Sequence, residues 1–299
     1  MSRVVVIGGG ISGLACAKLL ADRAPNTSIT LLEASKRLGG NIESRNINGF
    51  LCETGPSGFL NRHPSTLDLA DRVGLGDDII SGCEQQRRRY ILSGGRLRRF
   101  PDSPSTFLTT DLLSVRARAR MLLEPAIPPS TTNRDETVGQ YARRRLGKEA
   151  AELLVDPVIS GIYAGDADRL SLRAVVPHLA NLEGNNQSLL MTLIQARVQQ
   201  SAPSASPSTV GRKRYVSFRQ GLGQLTDTLA QILKPLIQTQ SPATSVNKDG
   251  KGWIVQVGGP NPREIKCDVV ISAAPAPAAA AYLSGIDSHI DTVLNAVPY

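Results

Sequence analysis

A run of glycines near the start of the chain separates two apolar segments of different periodicity. Residues 4–7 are a short β-branched run bounded by glycine, which predicts a buried parallel strand. From Ser12 onward apolar residues recur at helical spacing, and residues 28–34 have the pattern of a second strand. The segment therefore predicts a β-α-β unit, the opening of a doubly wound parallel sheet.

The glycines between strand and helix form the pattern GxGxxG, which is weak alone but here has the flanking elements that it requires. Gly8 would let the chain turn out of the strand, Gly10 would leave room for a diphosphate, and Gly13 would let the helix pack closely on the strand. The helix N-terminus offers unpaired N–H groups and a partial positive charge to phosphate. The predicted phosphate-binding residues are Gly8, Gly9, Gly10, Ile11, Ser12 and Gly13.

An acid follows the second strand at the distance expected of a nucleotide-binding fold. Glu33 lies about twenty residues after Gly13, where a carboxylate accepts hydrogen bonds from ribose hydroxyls. Its negative charge would repel a 2′-phosphate, so NADP is disfavoured. We expect Glu33 and the neighbouring Ala34 to hold the adenosine half of a dinucleotide.

The residues after Glu33 favour FAD over NAD. Lys36-Arg37 and Gly39-Gly40 resemble the extended signature of flavoproteins of the amine-oxidase superfamily, and residues 53–56 resemble that superfamily's turn near the flavin ring. The resemblance implies that the glycine pair keeps side chains away from the flavin end, and that Arg37 adds positive charge near the diphosphate. The further cofactor contacts that it implies are Arg37, Gly39, Gly40, Asn41, Gly55, Pro56, Ser57, Gly58 and Ala243.

Longer segments narrow the resemblance to one family. The chain resembles protoporphyrinogen oxidases at residues 135–138, 156–157, 160–166, 170–174, 182–183, 219–225 and 269–275. The resemblance implies an FAD enzyme that oxidises protoporphyrinogen IX to protoporphyrin IX in three flavin cycles, with O2 as the acceptor and hydrogen peroxide as the product. Flavin carries such chemistry. Since the sequence shows no nucleophilic triad and no acid–base carboxylate pair, no side chain is assigned as catalytic.

The same resemblance implies two substrate contacts. Arg89 matches the family arginine that holds a substrate propionate, a task suited to guanidinium geometry, with Arg88 as an adjacent competitor. Gly161 matches a position where the backbone lies close to the tetrapyrrole. On the flavin side, Asn41 stands where relatives often have tryptophan, and Ala243 where they usually have valine.

The predicted fold class is α/β: a Rossmann-like FAD-binding fold of the amine-oxidase superfamily, interrupted by a helix-rich substrate and membrane domain. Residues 1–86 and 211–299 carry the β-α patterns, whereas residues 87–210 are rich in helical spacing and basic residues. Within this insertion, residues 201–209 are small, polar and proline-bearing, which predicts a flexible loop.

Caps and spacing predict the helices of the insertion. Thr137 and Gln140 form a capping box, and helical spacing follows as far as Gly147. A further helix that contains Leu153 is predicted to end before Pro157, because proline disrupts a helix interior.

Charge and metal-binding residues limit the partners. The 299-residue chain carries a net charge of +8, much of it from arginine, but aromatic residues are only 4%, so nucleic-acid binding is not indicated. The four cysteines and three histidines show no metal-ligand spacing, so no metal site is predicted. Basic residues beside apolar helix faces suit an anionic membrane surface. The resemblance implies peripheral attachment to the mitochondrial inner membrane and leaves a homodimer open.

The resemblance also has rivals. One is another FAD-dependent oxidase or desaturase that acts on amines or carotenoids, and a second is a non-catalytic flavoprotein fragment. The family continues well beyond Tyr299, the last residue of this sequence. We therefore expect a C-terminally truncated chain that is not a competent oxidase by itself.

Overall fold

The computed structural model describes residues 2–61, 64–82, 88–130, 135–184, 188–192 and 215–297. The chain divides into two compact units, Met1–Gly82 with Thr209–Tyr299 as the first and Cys83–Ser208 as the second. One unit thus interrupts the other in sequence, as the predicted fold class requires. The predicted boundaries at 86/87 and 210/211, and the loop at 201–209, lie outside the described residues and stay predictions.

The elements of the described residues are numbered in chain order. The strands are β1 (Arg3–Ile7), β2 (Ser28–Leu32), β3 (Ser44–Ile47), β4 (Phe50–Glu53), β5 (Phe59–Leu60), β6 (Ile79–Ser81), β7 (Tyr90–Ser93), β8 (Arg96–Arg99), β9 (Tyr215–Phe218), β10 (Ile237–Gln238), β11 (Ala243–Asp249), β12 (Gly252–Val257), β13 (Arg263–Cys267) and β14 (Val269–Ser272). The α-helices are α1 (Ile11–Arg23), α2 (Pro64–Arg72), α3 (Pro104–Thr109), α4 (Val115–Leu122), α5 (Val138–Leu146), α6 (Lys148–Ala150), α7 (Asp156–Tyr163), α8 (Leu172–Val175), α9 (Pro177–Gly184), α10 (Gly223–Ile232), α11 (Ala276–Leu283) and α12 (Ser288–Asn295).

A parallel sheet in the order β10-β2-β1-β14 is the centre of the first unit. Successive residues of β1 enter opposite cores: Val4 and Val6 pack with α1 and α10, whereas Val5 and Ile7 pack with β11, β12 and α11. Both faces of the sheet are therefore covered, which explains why β1 is a continuous apolar run and does not alternate with polar residues. The predicted β-α-β unit is confirmed.

Three smaller antiparallel arrangements complete the first unit. They are the three-stranded sheet β11-β12-β13, the hairpin β3-β4, and the three-stranded sheet β5-β9-β6. The β3-β4 turn contains Asn48 and Gly49, both at positive φ (53° and 83°), as a two-residue type I′ hairpin requires.

Helices predominate in the second unit, beside the β7-β8 hairpin. The capping box at the start of α5 is confirmed, since Thr137 accepts from the Gln140 amide and Gln140 from the Thr137 amide. One apolar core collects around Leu112, Leu113 and Leu154, and another around Val138 and Tyr141.

The prediction that a helix ends before Pro157 is wrong. A π-helical turn, Ala151–Val155, continues directly into α7, and the Asp156 amide donates to the carbonyl of Ala151, five residues earlier. A wider turn of this kind accommodates the missing N–H and the bulk of the proline ring without ending the helix.

Among the described residues, no helix is long and apolar enough to cross a membrane.

Candidate functional site

The turn between β1 and α1 is built by close backbone approaches. The Gly8 amide donates to the Leu32 carbonyl at 2.8 Å, which joins the turn to the end of β2. Gly8 has a φ of +112°, and a Cβ there would lie 2.8 Å from the Ala273 carbonyl oxygen. A Cβ on Gly13 would overlap the Gly8 carbonyl oxygen, so α1 packs against the turn as closely as the sequence predicts.

The N-terminus of α1 presents polar backbone to open space. Gly10 occupies the N-cap, no side chain caps the helix, and its first turn contains no acidic residue. The first helical bond is made by the Leu14 amide to the Gly10 carbonyl, at 3.0 Å, which leaves the three preceding amides for an external acceptor. A Cβ on Gly10 would meet only the Gly40 Cα, at 3.8 Å. This helix end can bind an anion.

Glu33 lies beside this helix end and is bonded to the turn. Its Oε2 accepts from the Gly9 amide at 2.7 Å, and its Oε1 accepts from the amide and hydroxyl of Ser35 at 2.7 and 2.6 Å. A carboxylate has about four acceptor sites, so capacity remains for a sugar hydroxyl. Ala34 is exposed next to it.

Arg37 organises the loop that carries the glycine pair. Its guanidinium donates to the carbonyls of Leu38 at 2.8 Å and Ile42 at 2.9 Å, and also to that of Gly40. The Gly39 amide donates to the Gly9 carbonyl at 2.8 Å, so this loop is fastened to the β1–α1 turn. In this structure Arg37 orders the loop, and its contact with a diphosphate stays a prediction.

The turn at residues 53–56 leans on the same loop. The Thr54 amide donates to the Glu43 carbonyl at 3.0 Å, and the Thr54 hydroxyl donates to Glu43 Oε2, also at 3.0 Å. A Cβ on Gly55 would overlap the Asn41 carbonyl oxygen. Hydrogen bonds from Arg45 and Thr54 hold the pKa of the Glu43 carboxyl below its usual value. The loop and the turn thus form one continuous surface with the helix end.

The sequence did not predict the hydrogen bonds by which Ser44 and Glu53 connect the β3-β4 hairpin to the start of α10. Ser44 pairs directly with Glu53 across the β3-β4 hairpin and donates to its Oε2 at 2.7 Å. Glu53 Oε1 accepts from the Leu222 amide at 2.8 Å, and Ser44 Oγ accepts from the Gly223 amide at 2.8 Å, so both side chains hold the start of α10. The Asn-Gly turn was a signal for the hairpin and its register, but nothing local links it to residues 222–223.

The remaining predicted cofactor residues of the first unit also line this region. Pro56 and Ser57 are exposed, and Ser57 Oγ lies 2.8 Å from the Tyr215 hydroxyl. A Cβ on Gly58 would lie 2.5 Å from the Val216 carbonyl, so the chain runs close to β9. Ala243 begins β11, two residues after Ser241, whose amide donates to the Glu33 carbonyl at 2.9 Å.

The two predicted substrate residues belong to the second unit. Arg89 is exposed, and its carbonyl accepts from the Phe100 amide at 2.9 Å, which extends the β7-β8 ladder by one pair. Gly161 is exposed on α7, and a Cβ there would meet no atom within 4 Å. Both residues are therefore accessible to a ligand within their own unit.

Residues 11–290 match the family of flavin containing amine oxidoreductases. The chain is 32% identical over 300 residues to the coproporphyrinogen III oxidase of Bacillus subtilis (strain 168), which covers 96% of this chain and 63% of that protein. It is 35% identical over 255 residues to protoporphyrinogen oxidase 1, chloroplastic, of Arabidopsis thaliana, covering 82% of this chain and 47% of the relative.

Solved structures show the same fold. A structure from Exiguobacterium sp. 255-15, provisionally named a protoporphyrinogen oxidase, superposes with a TM-score of 0.74 at 28% identity, over 92% of this chain and 60% of that one. Cyclohexylamine oxidase from Brevibacterium oxydans IH-35A superposes with a TM-score of 0.65 at 17% identity, over 98% of this chain and 63% of that one. The chain thus spans between about half and three fifths of the length of these proteins.

Proposed function

The chain belongs to the family of flavin containing amine oxidoreductases, and from that premise we propose that it oxidises protoporphyrinogen IX to protoporphyrin IX with O2 as the final acceptor. The observation that carries the proposal is that relatives 32–35% identical over most of this chain are named as porphyrinogen oxidases. The amine oxidases among the solved structures are only 17–18% identical, so they support the fold and not an amine substrate.

FAD is the cofactor of this family, and the first unit fits it. The amides of Ile11, Ser12 and Gly13 bind the diphosphate over the open space beside Gly10, which no protein atom fills. Glu33, already fixed by the Gly9 amide, accepts from the ribose hydroxyls. The loop that Arg37 orders, with Gly39, Gly40 and Asn41, and the turn at residues 55–58 continue toward the flavin ring. Ala243, two residues after Ser241, which is bonded to Glu33, would contact the adenosine.

The protein's part in the reaction is binding and orientation. The chemistry that FAD would supply when bound is two-electron oxidation of the porphyrinogen and transfer of those electrons to O2, so that three rounds would give one porphyrin and three molecules of hydrogen peroxide. Arg89 pairs with a substrate propionate, for which its exposed guanidinium is available. The bare helix backbone at Gly161 lets the tetrapyrrole approach. No side chain of this chain is assigned a proton-transfer step.

The proposal includes peripheral attachment to a membrane, which in the sequence-based prediction is the mitochondrial inner membrane. On α4 the exposed apolar residue Val115 lies next to Arg116, and the exposed Leu122 lies one helical turn from Arg118, which supports a lipid-facing surface. The relatives' names include chloroplastic proteins and proteins of bacteria, so they do not distinguish one membrane from another.

Anaerobic mixing tests the reaction. The purified chain is loaded with FAD and mixed, without O2, with protoporphyrinogen IX, with cyclohexylamine and with putrescine, while flavin absorbance is followed. The proposal predicts that protoporphyrinogen IX, and neither amine, bleaches the flavin while porphyrin fluorescence rises in step. Bleaching by none of the three is the outcome that the sequence analysis expects of residues 1–299 by themselves.

Two outcomes would contradict the proposal and point to its rivals. Bleaching by an amine but not by the porphyrinogen would make the chain an amine oxidase. Firm FAD binding without reduction by any substrate would leave a non-catalytic flavoprotein.

A further inference from the structure

Two side chains of the β3-β4 hairpin cap the start of a helix that is distant in sequence. Ser44 and Glu53 lie directly opposite each other in the hairpin, and they accept from the amides of Gly223 and Leu222 respectively, each at 2.8 Å. Leu222 is the N-cap of α10 and supplies no side-chain cap of its own. Because the N–H groups at the start of a helix lack partners within it, the hairpin supplies the cap that α10 itself does not.

The backbone at residues 221–223 leaves room for these two side chains. Gly221 has a φ of +91°, and a Cβ there would overlap Ser44 Oγ and Glu53 Oε1. A Cβ on Gly223 would lie 3.0 Å from Ser44 Oγ. The two glycines therefore allow the hairpin side chains to reach the helix start. We call this set of hydrogen-bonded groups the hairpin–helix joint.

The joint lies directly before the turn that is proposed to approach the flavin ring. Glu53 is the last residue of β4, and the turn at residues 55–58 follows it after one residue. Next to the joint, this turn passes so close to the loop of the glycine pair that a Cβ on Gly55 would overlap the Asn41 carbonyl oxygen. The position of the turn therefore depends on where the hairpin ends.

Helix α10 contacts the same glycine-pair loop from another direction. Thr226 is 2% exposed, and its hydroxyl donates to the Gly223 carbonyl at 2.9 Å. Its Oγ1 would lie 3.1 Å from a Cβ on Gly39. The helix whose start is capped by the hairpin thus also packs on the loop against which the turn rests.

We infer that Glu53 and Ser44 are positioning residues for the flavin end of FAD: by joining the hairpin to α10, they fix the turn at residues 55–58 before the cofactor binds. The inference rests on the cofactor site proposed above and not on the substrate. Neither residue is assigned a contact with FAD. Their effect is preorganisation, since a turn that is already ordered does not have to lose conformational freedom when the ligand binds.

The two halves of FAD should therefore respond differently to loss of the joint. ADP contains the adenosine and the diphosphate, whose proposed contacts are the N-terminus of α1 and Glu33, and it lacks the flavin half. Removing the joint should weaken the binding of FAD and leave the binding of ADP unchanged. A general loss of stability would weaken both.

Calorimetric titration of the chain, freed of FAD, with FAD and with ADP tests this difference. Glu53→Ala and Ser44→Ala each remove one acceptor of the joint, whereas Glu53→Gln keeps an oxygen for the Leu222 amide and an amide group that can donate to Ser44 Oγ. The matched control is Glu264→Ala, which removes a strand glutamate of the same unit that accepts from Gln256 at 2.5 Å. Anisotropy of the bound flavin's fluorescence is recorded in parallel.

We expect Glu53→Ala and Ser44→Ala to weaken FAD binding by about tenfold, because each leaves one amide at the start of α10 without its acceptor and so loosens the turn. The affinity for ADP should stay within about twofold of that of the unchanged chain. The bound flavin should show lower anisotropy in both variants. Glu53→Gln should regain most of the FAD affinity, and the control should change neither ligand's affinity.

The contradicting results are separable. Equal weakening of FAD and ADP in the alanine variants, or FAD binding that neither variant changes, overturns the inference and leaves the proposed cofactor site. Should Glu53→Ala fail to fold, Ser44→Ala carries the same comparison, because it keeps the bond from the Leu222 amide. Absence of binding of both ligands by the unchanged chain removes the proposed cofactor site and the inference together.

Discussion

Gly10 and Gly13 belong to the same turn but are required for different reasons. A Cβ on Gly13 would overlap the Gly8 carbonyl oxygen, whereas one on Gly10 would meet nothing closer than the Gly40 Cα at 3.8 Å. Gly10 thus leaves open a space that no other part of the protein fills, whereas Gly13 allows α1 to contact the Gly8 carbonyl. This difference separates ligand binding from folding at the scale of single residues.

Alanine at each position should reveal that separation. We expect Gly10→Ala to leave the free energy of unfolding within about 0.5 kcal/mol of the unchanged chain, but to weaken FAD binding by at least about tenfold. Gly13→Ala should cost about 1–3 kcal/mol, because α1 must shift. Urea unfolding and FAD titration measure both quantities. Equal loss of stability in the two variants would show that Gly10 is structural.

Residues near each other in sequence were predictable, and those joined by folding were not. The GxGxxG pattern and Glu33 are local signals, since one strand, one helix and the next strand place them. The joint of Ser44 and Glu53 with the Leu222 amide spans about 170 residues of sequence, as its hydrogen bond records. The hydrogen bonds from Arg37 to the carbonyls of its own loop were also not predicted. An arginine that binds backbone carbonyls cannot be told from any other arginine by sequence alone.

At the scale of elements, a buried ion pair connects the pieces of the second unit. Glu124 is fully buried and Arg145, on α5, is 3% exposed. Glu124 accepts from Arg145, from the Ser188 hydroxyl, and from the Leu189 and Leu190 amides at 3.1 Å. One carboxylate thereby links α5 to the segment at residues 188–192.

Replacing one partner of this ion pair should destabilise the second unit more than replacing both partners with apolar residues. Glu124→Gln leaves the Arg145 charge buried without a counter-charge, at a cost of about 3–5 kcal/mol, whereas the double change Glu124→Leu with Arg145→Met should cost much less. The single tryptophan, Trp253, lies in the first unit, so its fluorescence would not report on the second unit. The measurement is therefore the protection of α5 amides against hydrogen exchange.

The matched control is Glu152→Gln, which removes one partner of an exposed ion pair. Equal loss of protection in the single and double variants would contradict the account.

The same carboxylate should make the second unit sensitive to acid. Burial raises the pKa of Glu124, but hydrogen bonds from Ser188, Leu190 and Leu189 and the Arg145 charge outweigh it, so the pKa lies below its usual value. The carboxyl of an unfolded chain has a pKa of about 4.3. The stability that Glu124 contributes to the folded unit is therefore complete above that pH and is lost as pH falls through the lower pKa of the folded state.

Protection of α5 against exchange, measured from pH 7 into this acid range, should therefore fall more steeply in the unchanged chain than in Glu124→Gln. Other carboxylates titrate in both proteins, so the difference between the two curves isolates Glu124. Parallel curves would show that folding does not lower the pKa of Glu124.

Secondary-structure elements were predictable where the sequence carries a hydrophobic periodicity or a helix cap. Strands β1 and β2 of the parallel sheet and the capped start of α5 belong to this class. The continuation through Pro157 did not follow, because a π-helical turn depends on how the neighbouring turns pack and not on the local sequence.

At the scale of the whole molecule, the fold and the proposed substrate rest on different observations. The fold and the family follow from a chain-long match at residues 11–290 and from superposition on solved structures. The proposed substrate rests only on the names of relatives of which this chain spans 63% and 47%. What connects the levels is the anion-binding helix end with its neighbouring carboxylate, since every proposed step begins with a bound flavin dinucleotide.

A crystal structure of the chain soaked with FAD tests that connection most directly. The account predicts density for the diphosphate within hydrogen-bonding distance of the Ile11, Ser12 and Gly13 amides, with a ribose hydroxyl on Glu33. FAD bound elsewhere, or bound with its ribose away from Glu33, would contradict the assignment of this turn as the cofactor site and leave the porphyrinogen proposal without its first step.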